Sequence, residues 1–291
     1  MEKETEMMEI TKLSLKGSNS WNEDALVEHP ALAMYGVIDG ATSLVPFTGE
    51  NGATGGYYAS RIIADFLHGM PSSSGSDWNP AEAMLQANRI LHDEMVKQGI
   101  RADRKDELWG ACAVLIRIEE DFIEYAQAGD CMLAAVYEDG SIRTVTHDQL
   151  AHVDNRTREL WAEGVEAGLR TNTELWAHVK PQIINGRNTA NTAEGYAVIN
   201  GDPALSRYIE SGRINRIQLK ALLLISDGLY MPKPAGFPAA DAEEVTRSIL
   251  DKGLEGYVNW LIQLEEGDPQ CLQYPRVKKS DDKTAIWIDF K

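Results

Sequence analysis

Residues 31–40 read ALAMYGVIDG. An apolar run climbs to Val37 and Ile38, then stops at Asp39 and Gly40. The pattern predicts a buried strand over 31–38 that delivers a carboxylate at its end. The glycine falls where the backbone must turn or let another group come close. The same device recurs in AQAGD at 126–130 and LLLISDG at 222–228. In SDDKTAIWIDF at 280–290 the acids lead the strand, and WNED at 21–24 adds an acidic pair. Asp-Gly after a strand is also the commonest kind of tight turn. It is the recurrence that points to one centre, where carboxylates from several strand ends converge on divalent metal.

The chain has 291 residues, 43% of them hydrophobic, enough for a large core in one big domain or two ordinary ones. Lys+Arg 28 against Asp+Glu 45 gives a net charge of −17. That balance argues against nucleic acid or an anionic membrane as main partner and suits hard cations. The three cysteines, Cys112, Cys131 and Cys271, have no metal-ligand spacing, and an odd count argues against a disulfide framework. MEKETEMMEI at 1–10 does not resemble a signal peptide, and no run approaches the ~20 apolar residues of a membrane span. The expectation is a cytoplasmic protein.

Along the chain, residues 1–7 read as a loose lead-in and Met8 to Leu15 as a half-buried strand. GSNSWNED at 17–24 is a polar turn presenting Glu23 and Asp24, and Ala25 to Glu28 a short strand. Tyr57, Ile62, Ile63, Phe66 and Leu67 fall on helical spacing, and 70–79 is a loop. Asn79-Pro80 opens a second helix with a stripe of Ala83, Met84, Ala87, Ile90, Leu91 and Met95. Residues 108–118 and 121–128 read as a hairpin, continued by 131–137 and SIRTVT as an antiparallel meander. The segment 147–200 is polar, with helical patches at 156–167 and 173–184 and an irregular Asn/Gly-rich end. Asp202-Pro203 caps a short helix, 217–226 is an apolar strand, and Asp241 with Glu244 resembles a capping box. A further helix ends near Glu266, and strand 284–290 closes the chain. The order points to an α+β layered fold of antiparallel sheets flanked by helices.

Mg²⁺ and Mn²⁺ take oxygen ligands and keep several waters, so each needs few protein carboxylates. Two such ions about 4 Å apart activate a shared water and clamp phosphoryl oxygens. No HExxH, P-loop, GxSxG or Cys-His arrangement competes.

Five short motifs carry a resemblance. NEDALVE at 22–28, YGVIDGA at 35–41, AGDCMLAAV at 128–136, LLLISDGLY at 222–230 and DDKTAIWI at 281–288 follow the order of the metal-dependent protein phosphatases of the PP2C type. WGACAVLI at 109–116 looks like that family's small-residue strand. TVTHDQL at 144–150 resembles the lead into its variable flap. The resemblance runs from about residue 10 to the C-terminus.

It implies a four-layer α-β-β-α sandwich, antiparallel sheets flanked by helix pairs, in a single domain with a flap at about 147–200. It implies two Mg²⁺ or Mn²⁺ ions bridged by Asp39. The Gly40 carbonyl and Glu23 would serve one ion, Asp227 and Asp281 the other, and Asp130 would match the ligand of a weaker third. Asp24 would support the shell by hydrogen bonding. The implied reaction is attack of a metal-bridging hydroxide on phosphoserine or phosphothreonine in a protein.

The chain departs from the family at four places. Asn19 stands where an arginine commonly grips phosphate, with Lys16 a candidate substitute. Ala41 stands where many members have histidine. Thr42-Ser43 replaces a glycine pair, and Asp282 replaces a frequent asparagine. Two other readings remain open: a phosphatase of small phosphorylated molecules, and a non-catalytic binding protein of the same fold.

Overall fold

The computed structural model describes residues 8–291 except 42, 46, 50–51, 73–77 and 102. The expected lead-in at 1–7, part of the 70–79 loop, and Thr42 lie outside the described residues.

Two five-stranded antiparallel sheets form the centre. The first takes β1 (Met8–Leu15), β6 (Met132–Tyr137), β7 (Ile142–Thr144), β9 (Leu219–Ile225) and β10 (Lys283–Phe290), in the order β1-β10-β9-β6-β7. The second takes β2 (Asp24–His29), β3 (Met34–Ala41), β4 (Gly110–Ile118), β5 (Phe122–Ala128) and β8 (Glu210–Asn215), in the order β2-β3-β4-β5-β8. Alternate residues of a strand face opposite ways, and in these inner strands both faces are covered. Val37, Val114 and Ile116 meet Leu133, Leu222, Leu224 and Ile286 between the sheets. On the outer face, Ile38 and Leu115 pack under helices α1 (Gly55–His68) and α2 (Pro80–Lys97), against Ile63, Leu67, Met84 and Leu91. Across the sandwich, Leu223, Ile225 and Ala285 pack under α5 (Ala242–Lys252) and α6 (Leu254–Glu266), against Val245, Tyr257 and Leu261. This is an α+β sandwich in four layers. α3 (Ala151–Glu166) and α4 (Asn172–Asn188) make a smaller cluster, Trp161, Leu175 and Val179, with Cys271.

The N-cap residues stand where the sequence places them, though at Asp241 only the aspartate half of the expected capping box forms. Asn79 accepts the Glu82 amide with Pro80 at the first helical position, and Asp241 accepts the Glu244 amide at 2.8 Å.

Four expectations need correction. The opening strand begins at Met34, after a 3-10 turn at Pro30–Leu32, and runs through Asp39 and Gly40 to Ala41. Pairing with β4 continues through this run, with Asp39, Gly40 and Ala41 opposite Cys112, Ala111 and Gly110. The acid therefore projects from inside a strand, not from a turn. The expected meander breaks at Gly129-Asp130, where the chain leaves one sheet for the other. Gly129 has φ +90, and a Cβ there would strike the Cys112 sulfur at 2.2 Å, so glycine is required at the crossing. The irregular region after 184 begins later, because α4 extends to Asn188. Strand β8 was not expected, since ESGRIN at 210–215 buries only Ile214 fully and lies at a sheet edge.

Candidate active site

β2 and β3 pair so that Asp24 stands opposite Asp39. The Gly40 amide donates to the Glu23 carbonyl at 3.1 Å, fixing the pair that precedes β2 against the end of β3. The N-terminus of α1 closes over them. A Cβ on Gly56 would lie 2.6 Å from Glu23 Oε1 and 2.8 Å from the Gly40 carbonyl oxygen, so both oxygens face one small space. Thr54, the N-cap of α1, donates its hydroxyl to Glu23 Oε1. The helix cap thus also orients a site carboxylate.

The second side of the site comes from β9 and β10. Ser226 donates to Asp24 Oδ2 at 2.8 Å, joining the two sheets. The Asp227–Leu229 turn lies on the 281–282 backbone so tightly that a Cβ on Gly228 would sit 1.8 Å from the Asp282 carbonyl oxygen. Asp282 accepts the Gly17 amide on Oδ1 and the Glu23 amide on Oδ2, each at 2.7 Å. Buried Lys283 donates to Glu265, Ser280 and the Asp281 carbonyl, and so anchors the turn that carries Asp281.

The acids perturb one another. Burial pushes Asp39 well above the carboxylate range, with Asp24, Asp227, Asp281 and Asp130 adding repulsion. Burial raises Asp24 to about 7 against hydrogen bonds from Ser226 and Thr284. Asp227 rises through burial and Asp281, opposed by a hydrogen bond with Asp39. Asp130 rises through burial, then Asp227, Asp148 and Asp154. Burial works to lower Lys278, but Asp281, Asp39 and Asp227 together hold it above the ordinary lysine value.

The site therefore gathers Glu23, Asp24, Asp39, Gly40, Asp130, Asp227 and Asp281 at one end of the sandwich. A cleft of about 220 Å³ opens from Asp130, Asp227 and Asp281 toward Asp148 and Asp154 at the start of the flap. Among the described residues, nothing donates a hydrogen bond to the buried oxygens Asp24 Oδ1, Asp130 Oδ1 and Asp227 Oδ1. Unpaired buried carboxylate oxygens are costly unless a cation or water meets them. Among the described residues no group of three or more His, Cys, Asp or Glu side chains is arranged as a metal-holding cage in itself. Hard ions that keep most of their water need no such cage, and an all-oxygen donor set with orphaned atoms fits them.

Asn19 is half-buried and Lys16 exposed, and among the described residues no hydrogen bond ties either side chain to the acids. Sequence reasoning missed Thr54, Ser226 and the double acceptor role of Asp282. Adjacency to Asp227 and Asp281 was the available signal for the last two.

The fold and the acid cluster together define a class, the antiparallel α-β-β-α sandwich with carboxylates gathered at one end. A family model described as protein phosphatase 2C matches residues 14–259. The chain belongs to the protein phosphatase 2C family. Among solved structures it is similar to a bacterial serine phosphatase, with 19% identity and a TM-score of 0.58 over 98% of both chains. It is also similar to the serine/threonine phosphatase Stp1 from Staphylococcus aureus, with 18% identity and a TM-score of 0.57 over 98% of this chain and 96% of that one. A third is the catalytic domain of the serine/threonine phosphatase PstP in complex with two manganese ions, with 15% identity and a TM-score of 0.55 over 97% of each chain. At such identities these structures show the fold alone. No curated protein matches in sequence.

Proposed function

We propose that this chain is a metal-dependent phosphatase of phosphoserine and phosphothreonine in proteins, built as one phosphatase domain with a flap at 147–200. The observation that carries the reading is the convergence of Asp24, Asp39, Asp130, Asp227 and Asp281, with three buried oxygens left unpaired. Asp39 would be shared by two Mg²⁺ or Mn²⁺ ions, and a third would lie at Asp130. Glu23 and the Gly40 carbonyl would face one of the pair, Asp227 and Asp281 the other. Such a pair, when bound, lowers the pKa of a water and polarises phosphoryl oxygens.

The chain's own residues do the rest. Asp24, held at Oδ2 by Ser226, keeps Oδ1 free to accept a proton or a water hydrogen beside Asp39. Asp282 and Thr54 fix the two ends of Glu23, one by its amide and one by its carboxylate. The turn at 227–229, locked on 281–282, sets the spacing of Asp227 and Asp281. Rigid strand ends keep these groups in place without reorganisation during the reaction.

The test is hydrolysis of p-nitrophenyl phosphate and a phosphopeptide, expected to require Mg²⁺ or Mn²⁺. Full activity in excess chelator would rule the mechanism out. Asn19, in place of the expected arginine, favours a second reading in which the substrate is a small phosphorylated molecule. A clear phosphopeptide preference counts against it.

A further inference from the structure

The metal side of the site is furnished, but neither Asn19 nor Lys16 supplies a cation to hold the substrate phosphate. Four cationic side chains line the cleft beside Asp130, Asp227 and Asp281: Arg158, Lys233, Arg276 and Lys278. Three of them take partners outside the acid cluster. Lys233 pairs with Glu244. Arg276 pairs with Asp268 at 3.0 Å and donates to the Glu265, Asp268, Tyr274 and Lys279 carbonyls, which builds the loop. Arg158 donates to Asn155 and to the Phe237 carbonyl on the outer wall. Lys278 differs. Its Nζ lies 2.7 Å from Asp281 Oδ1, inside the acid cluster, and its side chain is 32% exposed.

An ammonium has three N–H donors. Among the described residues, Asp281 is the one hydrogen-bond acceptor of Lys278 Nζ. Asp281 Oδ1 is also satisfied by the Asp282 amide at 2.9 Å, so it does not depend on Lys278 alone. Two ammonium N–H groups thus remain for a ligand in the cleft. The loop that carries Lys278 is held at both sides of the residue. Arg276 grips the Lys279 carbonyl at 3.0 Å, and the Cys271 thiol donates to the Lys278 carbonyl at 3.5 Å.

We infer that Lys278 is the phosphate-binding cation of this site, replacing from the loop before β10 the guanidinium that position 19 lacks. The inference rests on the proposed phosphatase reading for its ligand class. Lysine binds phosphate as a point charge without the fork of arginine, so it tolerates phosphate groups on varied carriers.

The test measures binding, not turnover. Inorganic phosphate is titrated by calorimetry into the full chain with saturating Mn²⁺, for wild type, Lys278→Met and Lys278→Arg, after Mn²⁺ itself has been titrated into each. Thermal melts check folding, and Lys278→Gln replaces the methionine variant should that one fail to fold. The methionine variant is expected to lose phosphate affinity by about ten- to a hundredfold. The arginine variant should recover most of it, with Mn²⁺ affinity within about threefold throughout. Unchanged phosphate affinity, no phosphate binding by wild type, or an equal loss of Mn²⁺ affinity overturns the inference. The last would make Lys278 a residue that only positions Asp281. Lys278-dependent phosphate binding without turnover of any phosphomonoester would sink the phosphatase reading and leave this inference standing.

Discussion

Replacing Gly40 by alanine puts a methyl carbon 2.2 Å from the Gly56 carbonyl oxygen and 2.6 Å from the Glu23 carbonyl oxygen. Both obstacles are backbone, one in the first turn of α1 and one hydrogen-bonded to the Gly40 amide, so neither can rotate away. Relief requires α1 to lift from β3, where Ile63 and Leu67 pack on the sheet. Overpacking of this kind costs roughly 3 kcal/mol. Spread over the unfolding entropy of a 291-residue chain, that is a fall of about 5 °C in Tm. Gly256 in α6 is the control. A Cβ there meets only Lys252 Cβ at 3.5 Å, an ordinary contact. Gly256→Ala should therefore raise stability by about 0.5–1 kcal/mol through the lower backbone entropy of alanine. Scanning calorimetry of the metal-free proteins reads both signs. Mn²⁺ titration of the Gly40 variant should also show weakened binding, because the Gly40 carbonyl and Glu23 are displaced together. A Gly40→Ala protein that melts within about 1 °C of wild type would refute the steric argument.

Asp39→Asn should abolish Mn²⁺-dependent hydrolysis and weaken Mn²⁺ binding, yet raise the melting temperature of the metal-free protein at pH 8. The substitution removes a buried charge that Asp24 and Asp227 repel, and unchanged Mn²⁺ affinity would contradict it. The pH dependence of metal-free stability follows from the same acids. Asp24 and Asp154 are raised from 3.8 to about 7, so their contribution is full below the ordinary carboxylate range and is lost as pH rises through about 7. Melting temperature should fall across that interval without metal and recover with Mn²⁺, and a flat metal-free profile would count against it. Lys283→Met strands Glu265 in the interior and should cost about 3–5 kcal/mol in urea unfolding. Adding Glu265→Leu should restore most of the loss, and no recovery would show that the pair is not the cause.

The sequence by itself determined most of the elements and the order of the acids. Helix starts were legible because caps act within one turn, as at Asn79-Pro80 and Asp241. Strands were legible where two faces are buried, as in LLLISDG, and lost where only one residue is, as in β8. What tertiary structure alone decided is where the chain changes sheets and what each acid touches. The hydrogen bond from Ser226 to Asp24 spans 202 residues, and that from Glu23 to Asp282 spans 259. No periodicity carries information over such distances, because a residue's own alternation fixes its face but not its neighbour across a sandwich. Asp39 shows both sides of this division. Its identity and the glycine after it could be read along the chain. That it projects from within a paired strand, under the cap of α1 and beside Asp24, followed only from two sheets closing on each other. Lys278 lies wholly on the second side, since Val277 and Lys279 beside it in the chain mark no site and its charge gains meaning from the carboxylate it meets.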